Sequence, residues 1–105
     1  MKSQMHNFSS WINESDTEKL KKKFENVLSL SGFEVISMIE KRFKPHGYTS
    51  LYLLSESHFA IHTFPENGDA YIELSSCVKD PFDKFVKILS SYEDENEFQV
   101  LTQAH

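Results

Sequence analysis

The stretch 54–66, reading LSESHFAIHTFPE, sets hydroxyls, imidazoles and carboxylates into an otherwise apolar run, and a lone thiol, Cys77, follows shortly after. A serine beside an imidazole suggests nucleophilic or proton-transfer chemistry. Two familiar versions fail on spacing. His58 and His62 would share a zinc-binding face only on a helix; along a strand they stand about 13 Å apart, so no metal site is expected. Ser57 lies in Glu-Ser-His rather than in a glycine-flanked elbow, and no third triad member accompanies it, so a serine hydrolase is poorly supported. Taken singly, His62 between Ala60 and Phe64 reads equally well as a satisfied sheet histidine, and Cys77 as a small buried hydrophobe. Composition and spacing alone lead to an α+β domain with a reactive strand pair.

The elements that must position these groups follow from periodicity and turn signals. Residues 5–12 suggest a first strand, broken by Asn13-Glu14-Ser15-Asp16, where Ser15 and Glu18 have the spacing of a capping box. Leu20, Phe24, Val27 and Leu28 then recur on one helical stripe, and Gly32 stands where a left-handed residue would end the helix. Residues 33–43 read as a strand stopped by Lys44-Pro45-His46-Gly47. The next strand, 48–54, is apolar on both faces through Leu51-Tyr52-Leu53-Leu54. A strand over 58–64 turns at Glu66-Asn67-Gly68-Asp69 into another over 70–77. Asp80 is expected to cap a second helix with Pro81 at its first position and Phe82, Phe85, Val86 and Leu89 as its stripe. Residues 97–102 read as a last edge strand. The expected fold is a mainly antiparallel sheet with two helices on one face. Its other face needs cover, and a second copy packing sheet on sheet would give a homodimer with α/β/β/α layers.

With 105 residues, 39% hydrophobic and 13% aromatic, the chain is expected to form one domain, 1–105. No apolar run approaches the roughly 20 residues of a membrane helix, and MKSQMHNFSS lacks the apolar stretch of a secretion signal. A cytoplasmic protein without a membrane partner is expected, consistent with a single cysteine. The net charge is −5, and Lys19, Lys21, Lys22 and Lys23 cluster on the polar face of the first helix, which argues against nucleic acid as a partner.

Several motifs stand in register over 42–77: Arg42-Phe43-Lys44-Pro45-His46-Gly47, Glu56-Ser57-His58, Ile61-His62-Thr63-Phe64-Pro65-Glu66 and then Cys77. Together they resemble the bacterial and archaeal S-adenosylmethionine decarboxylase proenzyme family. The resemblance implies autocatalytic cleavage between Glu56 and Ser57 into a 1–56 β-chain and a 57–105 α-chain, Ser57 becoming a pyruvoyl cofactor that holds the substrate as a Schiff base. It implies His62 as the processing base and Cys77 as the proton donor. It assigns Glu66 to the substrate ribose and Phe43 to its adenine, with the site lying between two protomers. The implied activity is a carboxy-lyase making the aminopropyl donor for spermidine. The sequence departs from the family at three places. Thr49 stands where a processing serine is usual, the first strand has no carboxylate after His6, and Val78 replaces a glycine. These departures leave two alternatives: a pyruvoyl-dependent ornithine or arginine decarboxylase on the same scaffold, or an unprocessed, non-catalytic binding homologue.

Overall fold

Three hairpins and two helical crossovers set the path of the chain. The computed structural model describes residues 4–94 and 100–104. Strand β1 (His6–Ile12) leads into helix α1 (Thr17–Ser31), and strands β2 (Val35–Arg42), β3 (Tyr48–Leu54), β4 (Ser57–Phe64) and β5 (Asp69–Ser76) follow as an antiparallel meander. Helix α2 (Lys79–Asp94) then crosses to strand β6 (Val100–Ala104). The six strands form one sheet in the order β2-β3-β4-β5-β1-β6, and every pairing is antiparallel.

The expected elements are present, with differences of one or two residues at several ends. The cap of α1 is Asp16, not Ser15: its carboxylate accepts from the Lys19 N–H at 3.0 Å, while Glu14 accepts from the Ser15 and Asp16 N–H groups. An aspartate one position later competes successfully for the same orphan donors. Gly32 ends the helix as expected, at φ 98, and Phe33 N–H closes on the Leu28 carbonyl. Helix α2 begins at Lys79, which puts Asp80 in its first turn instead of at its cap and Pro81 where no helical N–H is required. Of the expected edge strand, residues 97–99 lie outside the described residues; β6 is an edge strand paired with β1.

Strand alternation divides the sheet into unlike faces. Phe8 and Ile12, Tyr52 and Leu54, Phe59 and Ile61, and Ala70, Ile72 and Leu74 point to one face and form a single core with Leu20, Phe24, Val27 and Leu28 of α1 and Phe85 and Leu89 of α2. Aromatic rings bridge the layers, with Phe59 lying 5.2 Å from Phe24 and 5.5 Å from Phe85 between centroids. Both helices therefore cover one face, as expected. On the other face Ile39, Leu51 and Leu53 are 66%, 45% and 54% exposed, so the second apolar side of β3 has no cover within the chain.

Phe24 is fully buried at the centre of this layer contact, where truncation removes transfer energy and leaves a void. Phe24→Ala should destabilise the fold by about 3–5 kcal/mol. Urea unfolding followed by circular dichroism checks this, and a loss below about 1 kcal/mol would show that the helix–sheet core is not built around Phe24.

Candidate active site

Leu54 pairs with Ser57, so Ser55 and Glu56 form a two-residue hairpin turn between β3 and β4. Such turns need positive φ at central positions, which usually selects glycine or asparagine. Glu56 adopts φ 55, and it is the one non-glycine residue with positive φ among the described residues. Its carbonyl oxygen accepts from Cys77 twice, from the backbone N–H at 3.3 Å and from Sγ at 3.4 Å. The next residue, Ser57, is buried at the start of β4, and its hydroxyl donates to Ser76 Oγ at 2.7 Å. A serine oxygen can close a five-membered ring on the carbonyl carbon preceding it. Here that carbonyl sits in a strained turn with hydrogen-bond donors already on its oxygen, the arrangement that favours attack.

A second group gathers at the far end of β4. Thr49 pairs with His62 across β3 and β4, and Thr49 Oγ1 lies 3.0 Å from His62 Nδ1. The His62 ring lies 6.4 Å from Tyr71, which itself lies 5.2 Å from Trp11. Phe43 is presented by the β2–β3 turn, closed by its N–H on the Gly47 carbonyl at 2.8 Å, with Gly47 at φ 112, a backbone shape that favours glycine. Glu66 reaches back to His46 at 3.3 Å. Phe43, His46, Thr49, His62, Phe64 and Glu66 line a cavity of about 190 Å³. The root of the hairpin is held by the Tyr48 phenol, which donates to Glu40 at 2.6 Å; burial first, and that bond second, push its pKa up to about 12. The phenol thus stays a donor at neutral pH.

The candidate residues accordingly fall into two sets: Glu56, Ser57 and Cys77 at one end of the sheet, and Phe43, Thr49, His62 and Glu66 at the other. Ser57 and His62 are not brought together within one chain. Five residues apart on a strand, they face opposite sides and are separated by roughly 17 Å. Val78 is not in the left-handed region, so its side chain brings no backbone strain next to Cys77. Among the described residues, no group of three His, Cys, Asp or Glu could hold a metal ion. Sequence reading missed Ser76 and the Trp11–Tyr71 wall. Both were open to register counting, since stepping back from the turn at 65–68 sets Ser76 opposite Ser57 and Tyr71 opposite His62.

Comparison with known proteins gives concordant findings. The family model for S-adenosylmethionine decarboxylase matches residues 11–102. A protein of Brevibacillus brevis, S-adenosylmethionine decarboxylase proenzyme, is 44% identical over 63 residues, covering 60% of this chain and 47% of that protein. S-adenosylmethionine decarboxylase proenzyme 2 of Bacillus cereus is 52% identical over 48 residues, covering 46% of this chain and 39% of that protein. The aligned part of the chain thus spans less than half the length of these curated relatives. The crystal structure of the adenosylmethionine decarboxylase from Aquifex aeolicus superposes with a TM-score of 0.72 at 21% identity, covering 99% of this chain and 88% of that one, which establishes the shared fold.

The positive φ at Glu56 has a measurable cost. In a Ser57→Ala background, which keeps the nucleophile out of play, Glu56→Val should lose about 1–2 kcal/mol relative to Glu56→Gly, because a β-branched residue resists the left-handed region most. Thermal unfolding of the two variants compares them, and equal stabilities would mean that the turn is not held in that conformation.

Proposed function

The chain belongs to the S-adenosylmethionine decarboxylase family, and on that premise we propose that it is a self-processing, pyruvoyl-dependent decarboxylase of S-adenosylmethionine, working in the cytoplasm to make the aminopropyl donor for spermidine. The observation that carries this reading is the turn itself: a buried Ser57 hydroxyl follows a strained Glu56 whose carbonyl oxygen is held by Cys77. Ser57 Oγ adds to the Glu56 carbonyl carbon, the C–N bond breaks, and the hydroxyl proton passes to the freed nitrogen, leaving an ester. Loss of the Ser57 α-proton then expels the Glu56 carboxylate, and water replaces the nitrogen, which leaves as ammonia. Cleavage gives a 1–56 β-chain and a 57–105 α-chain. The pyruvoyl group so formed supplies a carbonyl that takes up the substrate amine and draws off electrons as carbon dioxide departs.

The remaining residues bind and move protons. The thiol of Cys77, 3.4 Å from the Glu56 carbonyl oxygen, returns a proton to the substrate carbon. Phe43 stacks on the adenine, and an aromatic face there favours a nearby sulfonium by ~1 kcal/mol. Glu66 accepts hydrogen bonds from the ribose hydroxyls. Thr49, through its contact with His62 Nδ1, fixes which ring nitrogen is free to take a proton.

Because the two sets lie at opposite ends of β4, a complete site requires two copies. The exposed Ile39, Leu51 and Leu53 supply the surface for sheet-on-sheet packing. A two-fold axis running across the strands would set the end of β4 that carries His62, Phe43 and Glu66 in one copy over the end that carries Glu56, Ser57 and Cys77 in the other.

Intact-mass analysis of purified protein should find two fragments split at Glu56–Ser57, the C-terminal one reacting with a carbonyl reagent. Ser57→Ala should remain one chain, and Cys77→Ala should be cut yet release carbon dioxide from S-adenosylmethionine at least about tenfold more slowly. Carbon dioxide release from ornithine or arginine alone would replace the substrate, and a wild-type chain that stays whole and carbonyl-free would defeat the enzyme reading.

The shared site predicts complementation. Chains carrying Ser57→Ala and Phe43→Ala, each nearly inactive alone, should regain about a quarter of wild-type activity when co-expressed, as random pairing restores one site per mixed dimer. Activity no higher than the sum of the separate variants would place both sets of residues in one protomer.

A further inference from the structure

We infer that Ser76 is a positioning residue for self-cleavage, orienting the Ser57 oxygen toward the Glu56 carbonyl by accepting its proton in a hydrogen bond. This rests on the self-processing proposed above and adds a residue to it.

The assignment follows from a count of donors. Ser76 Oγ has one proton and two lone pairs. It accepts from the Val78 N–H at 2.9 Å, a contact in which the backbone can only donate, and its own proton is directed to the Val78 carbonyl at 3.2 Å, which can only accept. The remaining lone pair faces Ser57 Oγ at 2.7 Å. With the Ser76 proton on the Val78 carbonyl, Ser57 is the donor in the pair. With its proton turned to Ser76, its own lone pairs are free to reach the carbonyl carbon.

Burial makes this a constraint instead of a passing contact. Ser76 is 0% and Ser57 6% exposed, so water cannot substitute as the acceptor for the hydroxyl. The same three-residue turn serves both partners of the reaction. Ser76 holds the nucleophile and the Cys77 N–H holds the oxygen on which negative charge would develop. Ser76 forms no bond in the acyl shift. The new Oγ–C bond, the broken C–N bond and the proton that ends on the Ser57 nitrogen all belong to the Glu56–Ser57 pair, and nothing is oxidised or reduced.

The test compares Ser76→Thr with Ser76→Val, side chains of the same shape that differ by one hydroxyl, alongside Ser76→Ala. Freshly synthesised full-length chain is followed by intact mass over time, with and without hydroxylamine, which cuts an ester already formed. Ser76→Thr should convert at least about tenfold faster than Ser76→Val, and hydroxylamine should not speed Ser76→Val or Ser76→Ala, because their block precedes the ester. Equal rates for Thr and Val, or rescue by hydroxylamine, would overturn the role assigned to Ser76. A wild-type chain that is never cut would instead remove the self-processing reading, and the two failures are told apart by that control.

Discussion

Strand β4 is hydrogen-bonded along both edges, and a tight turn at each end fixes its register with β3 and with β5. Side chains on a strand alternate, so a slip of one residue would exchange every neighbour and both faces at once. In the register adopted, Ser57 stands opposite Ser76, which delivers Cys77 to the Glu56 carbonyl, and Thr49 stands opposite His62. The Ser57–Ser76, Cys77–Glu56 and Thr49–His62 contacts thus descend from the register of one strand with its two neighbours. The aromatic contact of Phe59 with Phe24 and Phe85 holds that pairing from the helix side, because β4 cannot slide without withdrawing Phe59 from between them.

The same alternation explains why the sheet has one sealed face and one apolar open face. Tyr52 and Leu54 point under the helices, so the intervening Leu51 and Leu53 must point away. A strand whose outer side faced water in the working protein would carry polar residues there. Leucine at both positions, with Ile39 paired to Leu51, makes an exposed apolar stripe that favours association. In the proposed dimer, a second copy set sheet against sheet would cover this stripe.

Much of this was legible in the sequence, and the reasons are local. The leucine and phenylalanine stripe of α1, the left-handed Gly32 and the Asn67-Gly68 turn act over a few residues, and each appears where periodicity and turn chemistry put it. The cap of α1 moved from Ser15 to Asp16 because neighbouring side chains compete for the same N–H groups, a contest that spacing alone does not decide. The site was legible as residues and only partly as geometry. Cys77 follows from pairing 58–64 with 70–77, but the separation of Ser57 from His62 depends on strand parity, which a motif written as a line of letters conceals. Ser76 adjoins Cys77 in sequence, but nothing in that adjacency marks it as a partner of Ser57. Its importance lies in being opposite Ser57, and register is a property of two strands together.

Cutting the chain at Glu56–Ser57 would not release its halves, and the sheet order gives the reason. Strands β1, β2 and β3 precede that bond, while β4, β5 and β6 follow it. In the order β2-β3-β4-β5-β1-β6, the two sets meet at three seams: β3 with β4, β5 with β1, and β1 with β6. Strand β1 is enclosed on both edges by strands of the other segment, and α1 and α2 share one core. Separation would break all of these ladders and expose the Phe24–Phe59–Phe85 contact, a cost of the same kind as global unfolding. What cleavage frees is local. Residue 57 would become a chain end at the position where Cys77 already waits, and the strain held at Glu56 would be relieved while the surrounding register stayed in place.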